Sequence, residues 1–290
     1  MRKYVGQALP RREDERLMAG TGQFVDDIHL PGMLHAALLR SPYAHAHIIR
    51  VDTSAALAMP GVHAVISGEE ARARTKPVAS LVPRPRQITH YCLAVDKVRF
   101  AGEPVAAVAA DSRALAEDAL ERIVVEYEPL PVAASADAAL AEGAPRLYDE
   151  MDSNVLWHDR FAYGDVDGAF ARAAHVVRQR FTIQRFASTP LETYGCIAHD
   201  TGRYHTIWCN DGRPGVAIGV VASVLGLDES RLRFITPDIG GGFGNKRRPA
   251  YLIVASLLSL ASGRPVKYIE DRRENLMALM HSADGSIDSE

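Results

Sequence analysis

Ile239-Gly240-Gly241-Gly242-Phe243-Gly244-Asn245-Lys246 is the stretch on which the reading of this chain turns. Three consecutive glycines, then Phe and a fourth Gly, permit left-handed backbone and a close approach that side chains would block. A row of N–H groups between a strand and a helix is able to bind phosphate, oxo or other anionic groups, with Phe243 as an apolar wall. The alternative at this level is a tight strand-to-helix turn whose glycines serve packing alone. The stretch is not a Walker A loop, whose glycines are spaced G-x-x-x-x-G and whose lysine precedes Ser or Thr, and it does not fit G-x-G-x-x-G.

Around this turn the apolar pattern predicts mixed α/β units: a helix over 216–225 stopped by Gly226, a strand over 231–236, a helix over 249–262 stopped by Gly263, and a strand over 266–269. Upstream, Gly164-Asp-Val-Asp167 introduces a short amphipathic helix around 169–174 and a long strand over 175–186. The N-terminal part reads as β-rich, with strands over 34–40, 47–51 and 62–67. Residues 71–90 mix prolines with five basic side chains, the chemistry of a loop that is either a solvated excursion or a docking arm. A buried strand follows over 105–110, then a helix capped by Asp111-Ser112 with Leu115, Ala119, Leu120 and Ile123 on one face, then a strand over 124–127. The Ala- and Pro-rich stretch 129–145 reads as a linker, with a boundary near 140.

The 290 residues are 47% hydrophobic and 24% charged with a net charge of -3, which excludes disordered and fibrous classes and permits a core burying roughly 75% of the unfolded surface. The 33 Lys and Arg are scattered, so no basic footprint for nucleic acid is present. The N-terminus lacks an apolar h-region, and no run reaches the ~18 apolar residues of a membrane span, so a cytoplasmic location is expected. Cys92, Cys196 and Cys209 contain no Cys-x-x-Cys and are read as core residues. His45 and His47 share a strand face at a spacing two metal ligands would use, but no third ligand is near in sequence, and they are read as structural. No Ser- or Cys-based nucleophilic triad is recognisable.

Seven motifs in order give a resemblance: Gly22-Gln-Phe-Val-Asp-Asp27, Leu39-Arg-Ser-Pro-Tyr-Ala-His-Ala46, Val98-Arg-Phe-Ala-Gly-Glu-Pro-Val-Ala-Ala-Val108, Val125-Glu-Tyr-Glu-Pro-Leu130, Thr189-Pro-Leu-Glu-Thr193, the glycine turn 240–246, and Glu270-Asp-Arg272. Over nearly its whole length the chain resembles the N-terminal part of the molybdopterin-binding large subunit of the xanthine dehydrogenase, aldehyde oxidase and aerobic carbon monoxide dehydrogenase family. The resemblance implies an α+β fold. An N-terminal arm (1–16) leads to an α/β hammerhead domain (17–132), a linker (133–150), and the first part of a molybdopterin-binding α/β domain (151–290). It further implies a molybdenum-dependent oxidoreductase that oxidises a carbon centre of an aldehyde, N-heterocycle or similar small molecule with water-derived oxygen. The cofactor would be molybdopterin cytosine dinucleotide or a related Mo-pterin. FAD and [2Fe-2S] clusters would sit on partner subunits, alongside the remaining molybdenum-subunit polypeptide, with no nucleic acid or membrane partner.

By the same resemblance, Gly241, Gly242, Phe243 and Gly244 line the cofactor, Phe243 flanks the substrate, and Glu192 holds the loop before the cofactor-facing sheet. The catalytic glutamate base of the family lies outside this chain. Family members carry a glutamine about 31 residues before the turn phenylalanine. Here that region is Asn210-Asp211-Gly212-Arg213-Pro214, where Asn210 offers a shorter amide. Purine-oxidising relatives have a glutamate after the turn lysine. Here it is Arg247, which either suits an anionic or carbonyl-bearing substrate or points to solvent. The missing glutamine leaves a second reading, a catalytically degenerate member serving as a binding or assembly module.

Overall fold

The computed structural model describes residues 4–78 and 88–290. Its strands are β1 (Leu34–Arg40), β2 (Ala46–Asp52), β3 (Val62–Ser67), β4 (Lys97–Val98), β5 (Pro104–Ala110), β6 (Val124–Pro129), β7 (Gln179–Ile183), β8 (Gly195–Asp200), β9 (His205–Cys209), β10 (Leu232–Ile235), β11 (Val266–Ile269) and β12 (Gly285–Ser289). Its α-helices are α1 (Asp14–Met18), α2 (Ser54–Leu57), α3 (Gly68–Arg74), α4 (Arg113–Leu120), α5 (Ala136–Leu140), α6 (Val166–Arg172), α7 (Pro214–Leu225), α8 (Pro249–Ser262) and α9 (Arg272–Ala278).

The main sheet has the order β10-β9-β8-β11-β1-β5-β3, so strands from both halves of the sequence share one surface. The junction is the parallel pairing of β1 with β11, in the register Leu34↔Val266, His35↔Lys267 and Ala36↔Tyr268. β5 lies between β1 and β3 and is buried at every position, which explains why Pro-Val-Ala-Ala-Val-Ala-Ala is apolar without alternation. Its successive residues serve opposite faces: Ala107 and Ala109 join the large core under α7 and α8, while Ala106, Val108 and Ala110 pack with Ala116 and Ala119 of α4. The three cysteines are free thiols buried in this interior, and burial pushes Cys92 and Cys209 up to about 12, far from a reactive thiolate.

Two smaller sheets complete the chain, β4-β2-β6 and β12-β7. Three local expectations are corrected. The segment read as loop from residue 71 begins inside α3, because Ser67 and Glu70 form a reciprocal capping box that starts a helix at Gly68; residues 79–87 of that segment lie outside the described residues. The helix expected around 169–174 is α6, three residues earlier, where the Asp165 side chain accepts the Gly168 N–H. The long strand expected over 175–186 shortens to β7, the part that finds a partner in β12.

Candidate functional site

β9 and β10 run parallel at one end of the sheet, and each feeds a loop that enters a helix: residues 210–213 before α7, and 236–248 before α8. Loops at the carboxyl ends of parallel strands form the usual ligand crevice of such units. The Gly212 N–H donates to the Lys246 carbonyl at 2.8 Å and ties the two loops together.

A third loop, 188–193, is pinned to the glycine turn by Glu192. Its Oε2 accepts the Gly240 N–H at 2.8 Å and the Lys246 ammonium at 2.6 Å, and its own N–H donates to the Gly240 carbonyl at 3.2 Å. Lys246 is almost fully buried, and desolvation pulls its pKa below the usual lysine range, with the Glu192 hydrogen bond opposing that shift. Arg272 reaches the same loop, donating to the carbonyls of Pro190 and Leu191 at 2.6 and 2.8 Å. The motifs at 189–193, 240–246 and 270–272 therefore meet in space.

The turn presents an open ridge. Gly241 and Gly244 have φ of +93° and +92°, and Phe243 itself is left-handed at +48° and 76% exposed. A Cβ on Gly240 would lie 2.5 Å from the Glu192 Cβ, so this glycine is required by close approach. Gly242 differs: its φ is ordinary and nothing lies within 4 Å of a built Cβ, so packing does not require a glycine there. Among the described residues, the N–H groups of Gly241, Gly242, Phe243 and Gly244 donate to no acceptor. Asn245, one residue further, is fully buried with no partner for either amide atom, and Glu192 Oε1 is likewise unpaired.

Asn210 does not have the reach expected of it. Its Oδ1 accepts the Gly195 N–H at 3.0 Å and its Nδ2 donates to the Thr193 carbonyl at 2.9 Å, so the short amide is consumed in joining β8 to the 188–193 loop. Asp211 is buried too, accepting the Arg213 N–H at 2.8 Å, and desolvation raises its pKa. Arg213 and Arg247 both line a small indentation beside it and are exposed.

Two other sets of residues are structural. The Nδ1 of His45 lies 2.6 Å from the Pro131 carbonyl, fixing the end of β6. Asp200, His205 and Ser256 form a linked row, with Nδ1 3.2 Å from Asp200 and Nε2 2.8 Å from Ser256, but His205 and Ser256 are fully buried and the serine hydroxyl donates to the Leu252 carbonyl. No substrate reaches that hydroxyl. Reading by spacing missed the Glu192–Lys246 pair, whose members stand 54 positions apart, and the isolation of Asn245.

Residues 147–290 match the molybdopterin cofactor-binding domain family, and residues 19–131 match the aldehyde oxidase and xanthine dehydrogenase a/b hammerhead domain. The nicotine 6-hydroxylase large subunit of Paenarthrobacter nicotinovorans is 40% identical over 287 residues, covering 97% of this chain and 35% of that protein. The carbon monoxide dehydrogenase large chain of Hydrogenophaga pseudoflava is 38% identical over 297 residues, covering 96% and 36%. Among solved structures, quinoline 2-oxidoreductase from Pseudomonas putida 86 superposes with a TM-score of 0.91 at 38% identity, over 99% of this chain and 37% of that one. The chain belongs to the xanthine dehydrogenase, aldehyde oxidase and carbon monoxide dehydrogenase family, as an N-terminal part of its molybdopterin-binding large subunit. It spans about a third of the length of these curated relatives. Among the described residues, no helix is long and apolar enough to cross a membrane.

Proposed function

We propose that this chain supplies the glycine-turn wall of a Mo-pterin site in a cytoplasmic molybdenum hydroxylase or dehydrogenase. The observation that carries the reading is the ridge at 241–244, half-buried at Gly241 and Gly242 and exposed at Phe243 and Gly244, whose N–H groups have no acceptor among the described residues and whose Gly242 has no packing reason to be glycine. The ridge fits such a group: a backbone surface free of side chains lets a large polar ligand approach, and unpaired donors suit its anionic oxygens. When bound, the cofactor supplies a Lewis-acidic metal and two-electron redox chemistry.

In this reading Gly241, Gly242, Phe243 and Gly244 hold the cofactor by backbone donation, and Phe243 presents its ring as an apolar flank for the substrate. Arg247 favours an anionic or carbonyl-bearing substrate over a purine. Glu192 and Lys246 keep the ridge in shape from behind. The hammerhead unit at 17–132, the linker at 133–150 and the partial cofactor-binding unit at 151–290 would join the rest of the large subunit, an FAD subunit and a [2Fe-2S] subunit. The pterin would be the cytosine dinucleotide or a related form. The names of the relatives as large subunits support a multi-subunit assembly.

Gly242→Ala tests the ridge. Nothing surrounds the added methyl, so stability should stay within about 0.5 kcal/mol, while molybdenum and pterin retained by the assembly purified through a tag on this chain should fall. Full retention overturns the reading. The consumed amide of Asn210 favours one alternative, a degenerate member acting as a binding or assembly module. That alternative predicts an intact assembly without molybdenum even from the unmodified chain.

A further inference from the structure

Two arginines on the tied loops have no acid to hold them. Elsewhere Arg16, Arg40, Arg113 and Arg180 each ion-pair with a carboxylate, at Asp238, Glu274, Glu117 and Asp137. Arg213 and Arg247 are exposed, and neither guanidinium forms an ion pair with any of the described residues. The backbone makes them neighbours: Gly212, just before Arg213, donates its N–H to the carbonyl of Lys246, just before Arg247, at 2.8 Å. Both line one shallow indentation together with Val216, Ala217 and Pro249. A Cβ on Gly212 would meet only the Lys246 carbonyl, at an ordinary 3.5 Å, so packing does not require the bare backbone beside the two arginines.

Among the described residues, Asp211 is the one acid lining the indentation, and its oxygens are already taken. Oδ1 accepts the Arg213 N–H at 2.8 Å, and Oδ2 accepts the Tyr194 hydroxyl at 3.3 Å. Two guanidiniums therefore face a single buried carboxylate that hydrogen-bonds neither, which leaves an excess of positive charge that one further carboxylate would neutralise. Burial also raises the Asp211 pKa, which favours its neutral form and enlarges that excess. Arg248, the next residue, is engaged elsewhere, its guanidinium 5.2 Å from the Phe100 ring centroid and 5.9 Å from that of Tyr251.

We propose that Arg213 and Arg247 together bind a carboxylate carried by the substrate, so that the site selects a small molecule with an anionic carboxylate on an apolar body. This rests on the proposed function and narrows it: Arg213 becomes a specificity-determining residue beside Arg247, and an uncharged carbonyl compound is disfavoured. The planar guanidinium fork matches the two oxygens of a carboxylate. Val216, Ala217 and Pro249 offer no charged side chain and suit the apolar body. Asp211 is a positioning residue, holding the Arg213 backbone while its negative charge opposes the ligand.

Saturation-transfer NMR tests the proposal on the assembly purified from its host by a tag on this chain, with benzoate as the probe and benzamide as its uncharged counterpart. Benzamide should bind about fivefold more weakly than benzoate. Arg213→Gln and Arg247→Gln, at exposed positions, should each weaken benzoate about threefold and leave benzamide unchanged. Asp211→Asn keeps an acceptor for the Arg213 N–H and removes the opposing charge, so it should tighten benzoate about twofold, whereas loss of a merely structural group would not. Equal binding of the two probes overturns the proposal, as does an arginine variant with unaltered benzoate affinity, a folded Asp211→Asn that fails to tighten it, or inorganic phosphate displacing benzoate at equal or lower concentration. If Asp211→Asn does not fold, the arginine variants and the benzamide comparison decide alone. Benzoate selectivity in an assembly lacking molybdenum refutes the cofactor reading and leaves the arginine pair standing. Molybdenum in an assembly indifferent to the charge of the probe does the reverse.

Discussion

Lys246 and Phe243 represent two opposite ways of holding one turn. Lys246 is buried and depends on Glu192 for its counter-charge, so Glu192→Ala leaves an unpaired ammonium in the interior and removes the acceptor of the Gly240 N–H. A loss of about 2–4 kcal/mol in urea unfolding is expected, below the deepest cases because Glu192 keeps some contact with water. The double variant with Lys246→Met should recover part of it by removing the stranded charge. Phe243, by contrast, is an exposed aromatic in left-handed backbone. For Phe243→Gly, relief of the backbone cost offsets the added freedom of the unfolded chain, so stability should change by less than about 1 kcal/mol. If unfolding shows a larger loss, the ring is a packing residue and its place at the site is lost.

The approach to the turn is an element held by charge. Asp238, between β10 and Gly240, accepts both terminal nitrogens of Arg16 and the Gln23 N–H, tying the N-terminal region to the ridge. The Arg16 hydrogen bond, followed by that from Gln23, holds the Asp238 carboxyl down at about 2, against its usual 3.8. A depressed folded pKa means that the contribution is complete above about pH 4 and disappears as pH falls towards 2. Urea midpoints of the wild type should therefore fall more steeply over that window than those of Asp238→Asn; parallel profiles would show that the tie does not matter. At this scale much was legible: α8 and α7 carry proline at the first turn and glycine just after the last residue, and their C-terminal ends were readable from those signals. α3 was hidden because the prolines and arginines that follow it masked its capping box.

In the whole molecule, β1 sits between β11 and β5, so hydrogen bonds between the two halves of the sequence run through the middle of one sheet. Unfolding should accordingly be a single transition, with the fluorescence of Trp157 and Trp208 and far-UV circular dichroism giving coincident urea curves; two separated transitions would mean that the halves are energetically independent.

Local chemistry in the amino-acid order determined the glycine ridge, the caps and the apolar strands, because each is encoded within a few neighbouring residues. The order of the motifs likewise carried the family membership. Tertiary structure alone decided that Glu192 meets Lys246, that the Asn210 amide is spent inside the fold, and that β1 pairs with β11. Those outcomes depend on contacts between residues tens to hundreds of positions apart, where no periodicity or spacing signals which side chain will be brought against which.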